Sequence, residues 1–472
     1  MARKSTSNSS KSASNFSDDG SSVVVLSSPS PPLAKSATRR NSRKSSAANT
    51  PKTVTIAGRK LPVSPVLDTL FLWIAERHRI LLRRVAGDPA PWTEDPIFAA
   101  HRFTNVFRVF DRTTQFILHN VINKGRSDLV ESCFRVILFR FFNRIDTWEL
   151  LTSSLGELTW AKFDLEEYES VLGEAVESRT ALYGSAYILP APTLGAERNF
   201  QNHLRLLSVM MEQGLPAQLK KVQHLRDAYE LIRVYPSMGD FTAFQLLLDL
   251  NMTSHFNYPE NEWAICGPGS QAALKKIFGT DVAGIETEAM LYLHQTQDSH
   301  FARLGIKNPP RLSSRHTELS LVDLEHSLCE CEKYSRAKHP EIRGKRTTIA
   351  PFRASTKPVT MDLPSSWTKL ASKKRKQYPE PPPLDDDDSD PEYYVSHIVA
   401  EHSRGSGKEY LIRWEGYGPE DDLWLKEDEL REGSSRLLAE WHARKERLEE
   451  HIDEVRRGGQ GVKKQRISGQ AR

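Results

Sequence analysis

From about Leu61 to residue 340, apolar positions recur every three or four residues. Val66, Leu70, Trp73 and Ile74 open one such stripe. Phe103, Val106, Phe107, Phe110, Phe116 and Ile117 form a second, and Val136, Phe139, Phe142 and Ile145 a third. Spacing of i, i+3, i+4 puts side chains on one side of a helix, so these runs predict amphipathic α-helices. Alternating β-branched runs are almost absent there. Residues 57–344 are therefore expected to form one large all-α domain with a core of its own.

The rhythm changes at Glu392. Tyr393-Tyr394-Val395 to Ile398-Val399, then Tyr410-Leu411-Ile412-Arg413-Trp414, then Leu423-Trp424-Leu425 read as three short strands divided by Gly-containing turns. Leu437, Leu438, Trp441 and Leu448 predict a closing helix. Residues 392–450 thus read as a small α+β module, a three-stranded antiparallel sheet with a C-terminal helix. Tyr410 and Trp424 fall on apolar strand positions and are expected in its core.

The remaining segments are polar. Residues 1–56 are rich in Ser, Asn and Thr. Residues 345–391 carry scattered prolines, a basic run, Pro381-Pro382-Pro383 and the acidic Asp385 to Asp388, and residues 451–472 form a basic tail. Such stretches bury too little apolar area to offset ordering entropy, so all three are expected to be disordered. The whole is a multidomain chain, two folded parts joined by a tether. Its 38% hydrophobic content and mean hydropathy of -0.52 fit that division.

No apolar run approaches the roughly 20 residues of a spanning helix, so no membrane association is expected. The opening residues lack a signal peptide's basic-apolar-small order. Four cysteines in 472 residues exclude a disulfide scaffold and suggest a reduced, intracellular setting. The formal charge of +4 conceals two opposed parts. Residues 385–450 hold 20 acidic and 9 basic residues, a net of -11, which leaves +15 on the rest. An acidic module suits a basic peptide, and a basic remainder suits DNA. Arg39-Arg40-Asn41-Ser42-Arg43-Lys44 and Lys373-Lys374-Arg375-Lys376 read as nuclear-import signals or as solubilising charge. The nucleus is the expected location.

Residues 392–450 resemble a chromodomain. The resemblance rests on Glu392-Tyr393-Tyr394-Val395, Tyr410 to Tyr417, Asp421-Asp422-Leu423-Trp424 and Glu429-Leu430, in order through the whole module. It implies a reader of methylated lysine on a histone tail, with an aromatic cage at Tyr393, Trp414 and Tyr417 and Asp421 beside it. A methylated ammonium sheds water cheaply and is drawn to aromatic faces, at about 0.5–2 kcal/mol per ring. The peptide would be held as an added strand. Tyr394 adjoins Tyr393, and a one-residue slip would exchange them. Leu425-Lys426 stands where many family members have Glu-Pro, a departure that bears on packing. Similar modules occur fused to integrases, but no integrase-like acidic triad is found here.

Most of residues 60–340 resemble the phage and fungal alpha-glutamyl/putrescinyl thymine pyrophosphorylases, or the helical domain of hydroxymethyluracil DNA kinases. The likeness lies in Trp92 to Pro96, Arg102 to Arg112, Phe142 to Trp148, Pro236 to Ala243, Gly267-Pro268-Gly269 and Leu328-Cys329-Glu330. It implies a domain that works on a modified thymine in DNA. If 102–112 is helical, Arg102, Asn105, Arg108 and Arg112 share one face suited to phosphate or base contacts. A solvated basic face, or pairing of these arginines with carboxylates, is the competing reading.

Leu231 to Ala243 reads as helix, tight turn, helix. Its turn and the following Thr242-Ala243 resemble the hairpin of helix-hairpin-helix DNA glycosylases, in which Gly239 would permit close approach of a phosphate. Glu260 and Glu262 follow at the distance where those enzymes place a catalytic acid, and base flipping would be needed for reach. Asp240-Phe241 stands where a lyase would carry its Lys, so a Schiff base is not expected. Gly267 and Gly269 would make a second close-approach loop. They are too closely spaced for a Walker loop, and no Gly-Lys-Ser/Thr follows. Cys329 and Cys331 beside His326 are spaced unlike zinc-finger pairs and read as structural. No metal and no cofactor is expected. Two functional classes remain: a binding protein with methylated histone and DNA as partners, and an enzyme acting on a thymine-derived base.

Overall fold

The computed structural model describes residues 23–24, 52–184, 189–313, 318–342, 344, 348–353, 359–370, 393–404 and 407–469. The basic runs at 39–44 and 373–376 and the acidic run at 385–388 lie outside them. The chain divides into two compact units. The larger joins 36–377 with 446–472, and the smaller joins 1–35 with 378–445. Its first strand, Val23–Val24 (β1), belongs to the smaller unit.

The larger unit opens with a hairpin, Thr53–Ile56 (β2) and Arg59–Pro62 (β3). The turn residues Ala57 and Gly58 both have positive φ, 47° and 76°. Ile56 and Leu61 are buried against the helices. The hairpin therefore begins inside the stretch expected to be disordered to residue 56. Four residues of period-two pattern are too few to stand out from a polar tail.

Helices follow, as expected. In Val66–Ala86 the stripe Leu67, Leu70, Phe71, Ile74 is buried, and Gly87 in the left-handed region closes the helix. Leu129–Phe142 is buried on nearly every side, which its almost continuous apolar sequence dictates. Asp128 caps its first turn by accepting from the Glu131 N–H at 3.1 Å. Leu321–Lys338 is equally buried, yet it carries Asp323, Glu325, His326, Glu330 and Glu332 inward.

The stripe from Phe103 to Ile117 is not one helix. Arg108–Phe110 is a single 3₁₀ turn, Arg112–Phe116 a short α-helix and Ile117–Ile122 a π-type turn. Local side chains intercept the backbone. The Asp111 carboxylate accepts from the Asn105 N–H at 2.8 Å, and the Asn105 amide donates to the Phe110 carbonyl at 2.7 Å. Arg102, Asn105, Arg108 and Arg112 consequently share no helix face.

Two further segments depart from expectation. Part of the 345–391 linker packs on the larger unit. The Arg102 and Phe352 N–H groups donate to the carbonyls of Ala350 and Ala100, each at 2.8 Å. Met361, Leu363 and Trp367 lie against the core, and Ser365–Leu370 is a helix. The closing helix runs from Ser435 to Gly469, through most of the tail expected to be disordered after residue 450. Leu448, Ile452 and Val455 pack on the helical core at i, i+4, i+7, a stripe outvoted by its charged neighbours.

In the smaller unit, Tyr393–Arg404 (β4), Gly407–Trp414 (β5) and Leu423–Lys426 (β6) form the antiparallel sheet, with order β1-β4-β5-β6. A short helix, Glu427–Gly433, leads into the closing helix. Val395, Ile398, Tyr410, Ile412, Trp414, Leu425, Leu430, Leu438 and Trp441 make its core. Tyr410 is buried as expected. Trp424 is not: it is 40% exposed and lies 3.9 Å from the His402 ring. Successive strand side chains alternate, and Leu425 takes the inward position.

Candidate functional sites

In the smaller unit the first aromatic comes from the start of β4, the second from the end of β5 and the third from the turn after it. The Tyr393 ring stands 6.0 Å from that of Trp414 and 6.1 Å from that of Tyr417, both tilted steeply against it. Tyr394 points away and is 40% exposed, so Tyr393 holds the inward position. Trp414 is only 2% exposed, whereas Tyr393 and Tyr417 are half-buried. The two tyrosine rings thus flank a tryptophan that is almost fully covered. Burial, then Tyr393 and then Asp421, raise the Tyr417 hydroxyl pKa, which places Asp421 beside that ring. Burial, then the charge of Glu420, raises the pKa of Asp421 in turn. The neighbouring Asp422 is already used. It accepts from Arg413 through both oxygens, Nη2 to Oδ2 at 2.9 Å, in a fully buried pair that braces the turn.

In the larger unit the candidate residues separate into two places. Arg102 and Arg112 are exposed, while Asn105 and Arg108 are buried. Arg108 donates to Asp249 (Nη2 to Oδ1, 2.6 Å) and to Gln245 (Nε to Oε1, 3.1 Å). Arg140 takes the other Asp249 oxygen, from Nε at 2.6 Å. Asp249 is completely buried, so one carboxylate holds two guanidiniums.

Helices Leu225–Arg233 and Asp240–Leu250 form the anticipated hairpin. Gly239 caps the second helix, and Ser237 sits at φ 63°. The Thr242 hydroxyl donates back to the carbonyls of Gly239 and Ser237, at 3.0 and 3.2 Å. Asp240 already brings a negative charge to this helix start. It accepts from Arg233 Nε at 2.7 Å and the Tyr229 hydroxyl at 3.1 Å. A small recess, with room for little more than a water molecule, lies beside the hairpin, lined by Arg140, Leu189, Met238, Phe241, Thr242 and Gln245.

Glu260 and Glu262 are not equivalent. Glu262 accepts from or pairs with His224 Nδ1 at 2.9 Å, with both side chains nearly buried. Glu260 accepts from the Asn251 amide at 3.0 Å. Burial, and then the nearby Asp323 carboxyl, push its pKa up to about 7, against the opposing pull of Asn251 and Arg108. A carboxyl poised there can hold or release a proton near neutral pH.

Gly267 and Gly269 face protein. The Gly267 N–H donates to Glu325 Oε1 at 3.2 Å. A Cβ on Gly269 would collide with the Cys329 sulfur, so this glycine lets the helix Pro268–Phe278 approach Leu321–Lys338. Cys329 fills that contact, and burial pushes its thiol up to about 12. Among the described residues no group of three or more His, Cys, Asp or Glu is placed to hold a metal.

The helix Leu321–Lys338 gathers these parts. Asp323 faces Glu260, Glu325 faces Gly267, and Glu330 accepts from the Thr104 N–H at 3.1 Å. His326 meets Thr104 Oγ1 at 2.9 Å and Asp111 Oδ2 at 3.5 Å. Burial alone would lower the His326 pKa; Asp111 and then Glu330 and Glu325 reverse this, and the net shift is upward. The Arg108 backbone N–H also donates to Asp323, so Arg108, Glu260 and Gly267 are joined through one helix, and Arg102 is not among them. The sequence reading overlooked Asp249, Asp323 and Glu325. Their signal was a set of carboxylates on helices otherwise apolar all round.

The fold and sites define a helical domain with a buried ionisable layer, in one chain with a small aromatic-caged sheet module. Residues 64–344 match the family described as 5-hmdU DNA kinase, helical domain, and residues 393–444 match the Chromo (CHRromatin Organisation MOdifier) domain. The chain belongs to the first of these families and carries a C-terminal chromodomain. It is similar to a 5-hmdU DNA kinase of Bacillus phage SP10, 23% identical over 286 residues, or 57% of this chain and 44% of that protein. It is also similar to the chromatin-associated protein SWI6 of Cryptococcus neoformans var. grubii, 34% identical over 50 residues, or 11% of this chain and 22% of that protein. The chain thus spans less than half the length of either curated relative. No solved structure matches.

Proposed function

We propose that this is a nuclear, chromatin-associated protein whose chromodomain binds a methylated lysine of a histone tail and brings the helical domain to DNA. The observation that supports this reading is the meeting of Tyr393, Trp414 and Tyr417, with Tyr394 turned away. Three ring faces offer the electrostatic partner that a methylated ammonium retains after dehydration. Asp421, which makes no ion pair among the described residues, adds a carboxylate at the rim. The SWI6 likeness supports chromatin as the setting. Titrating the full chain with trimethylated and unmodified histone-tail peptides tests the proposal. A clear preference for the trimethylated peptide is expected, and equal affinity would refute it.

A second reading makes the helical domain an enzyme on a modified thymine. It draws on the Glu260 carboxyl, which titrates near 7 beside Asp323, and on the likeness to a 5-hmdU DNA kinase. Glu260 would give or take the proton, and Glu262 would hold His224. The recess at Met238 and Thr242, with Arg140 at its wall, would meet the DNA, and Arg108 would position Gln245 at its floor. Incubation with DNA containing hydroxymethyluracil, with and without nucleoside triphosphate, should give a mass change that Glu260→Gln abolishes. Absence of any product over a panel of modified bases would leave the helical domain a DNA-binding part alone.

A further inference from the structure

A strand has two edges, and at its start β4 spends only one on β5. The Tyr394 carbonyl accepts from the Glu415 N–H at 2.8 Å. Backbone groups alternate sides along a strand, so those of Tyr393 and Val395 turn to the opposite edge. That edge is occupied by β1, which pairs antiparallel with Val24 opposite Tyr393 and Val23 opposite Tyr394. The same two residues run beside the helix Glu427–Gly433. β1 therefore lies between β4 and this helix, against the residue that supplies the first ring of the cage.

An extended peptide that offers a lysine to Tyr393 needs that edge for its own backbone. The chain fills it with Val23 and Val24, which in the sequence belong to the β-branched run Val23-Val24-Val25. Residues 12–34 contain no Lys or Arg. The segment can thus supply a strand while leaving the cage without a cation.

We propose that the segment around Val23–Val24 is a built-in competitor for the strand-accepting edge of β4, displaced when a peptide carrying a methylated lysine binds. The identity of the incoming peptide rests on the cage reading above; the strand pairing does not. Only molecules with the edge open are competent to bind, so the segment lowers apparent affinity by that fraction.

Two measurements on the full chain, wild type and the double variant Val23→Pro/Val24→Pro, decide this. Proline cannot donate to the ladder, so the double substitution removes the pairing, and far-UV circular dichroism checks that both units stay folded. Amide hydrogen exchange without peptide should show Tyr393 and Val395 protected in the wild type and fast in the variant. Titration with a trimethylated histone-tail peptide should show the variant binding roughly three- to tenfold tighter, the worth of one or two backbone hydrogen bonds. Equal, fast exchange in both proteins would overturn the pairing. Lost protection with unchanged affinity would overturn the competition. If neither protein distinguishes trimethylated from unmodified peptide, the cage reading fails, while the exchange result still decides whether β1 holds the edge.

Discussion

Replacing Glu260 by glutamine removes a carboxyl that titrates at about 7 but keeps its shape and its acceptor for the Asn251 amide. In the unfolded chain this carboxyl has an ordinary value of 4.5. Between the two values the folded protein keeps a proton that the unfolded chain has released. Raising pH through that interval therefore favours unfolding. The gap corresponds to about 3 kcal/mol at full burial, and partial exposure of the residue trims this to about 2 kcal/mol. The cost is absent below the unfolded value, grows between the two, and is complete above the folded one. Glutamine carries no such cost. Urea unfolding followed by far-UV circular dichroism, which the helical unit dominates, should find Glu260→Gln gaining about 2 kcal/mol on the wild type between pH 4.5 and pH 8. A stability difference that is the same at both pH values would refute the argument, because it would mean that the carboxyl is already ionised when buried. A variant that is more stable and catalytically dead would also show why a costly group is kept.

Other substitutions probe the same framework. Asp249→Asn strands two buried guanidiniums and should destabilise the helical unit by about 3–5 kcal/mol in the same assay. Tyr417→Ala, at a half-buried ring, should leave the chromodomain folded by circular dichroism. It should cost about 0.5–2 kcal/mol of the preference for a trimethylated peptide, read by titration calorimetry. Gly195→Ala should loosen the end of the closing helix, because Gly195 has φ 81° and a Cβ there would collide with the Arg456 carbonyl. Faster hydrogen exchange over residues 448–458 would show it.

Much of the fold could be read from residue order. Long apolar stripes announced the helices, and the run Tyr410 to Trp414 announced the strand on which the chromodomain is built. The failures share a cause. From 102 to 112 the apolar spacing is helical, but Asn105 and Asp111 bond to the local backbone and divert it. Leu448, Ile452 and Val455 form a stripe inside a charged tail, and their burial depends on a surface more than 200 residues earlier, where His451 reaches Gln213 at 2.6 Å. The glycines at 267 and 269 suggested a ligand loop, yet what approaches them is another helix. Periodicity reports where a segment could hide apolar area; it does not report what the segment will meet.

For the cage, the sequence determined the three aromatics, their strand and turn positions and the acidic neighbourhood. It did not determine whether Tyr393 or Tyr394 turns inward, since a register slip exchanges them; pairing of β4 with β5 decided that. In the helical domain the sequence supplied Arg108, Glu260 and Gly267 as separate suspects. Only the tertiary structure showed that the helix Leu321–Lys338 joins them, because burial and proximity, not residue type, move a carboxyl from an ordinary value to one near neutrality. The same holds for the tail. The run Val23-Val24-Val25 is β-branched but too short to stand out in a serine-rich segment, and Val23–Val24 becomes a strand only against the edge of β4 that β5 leaves open.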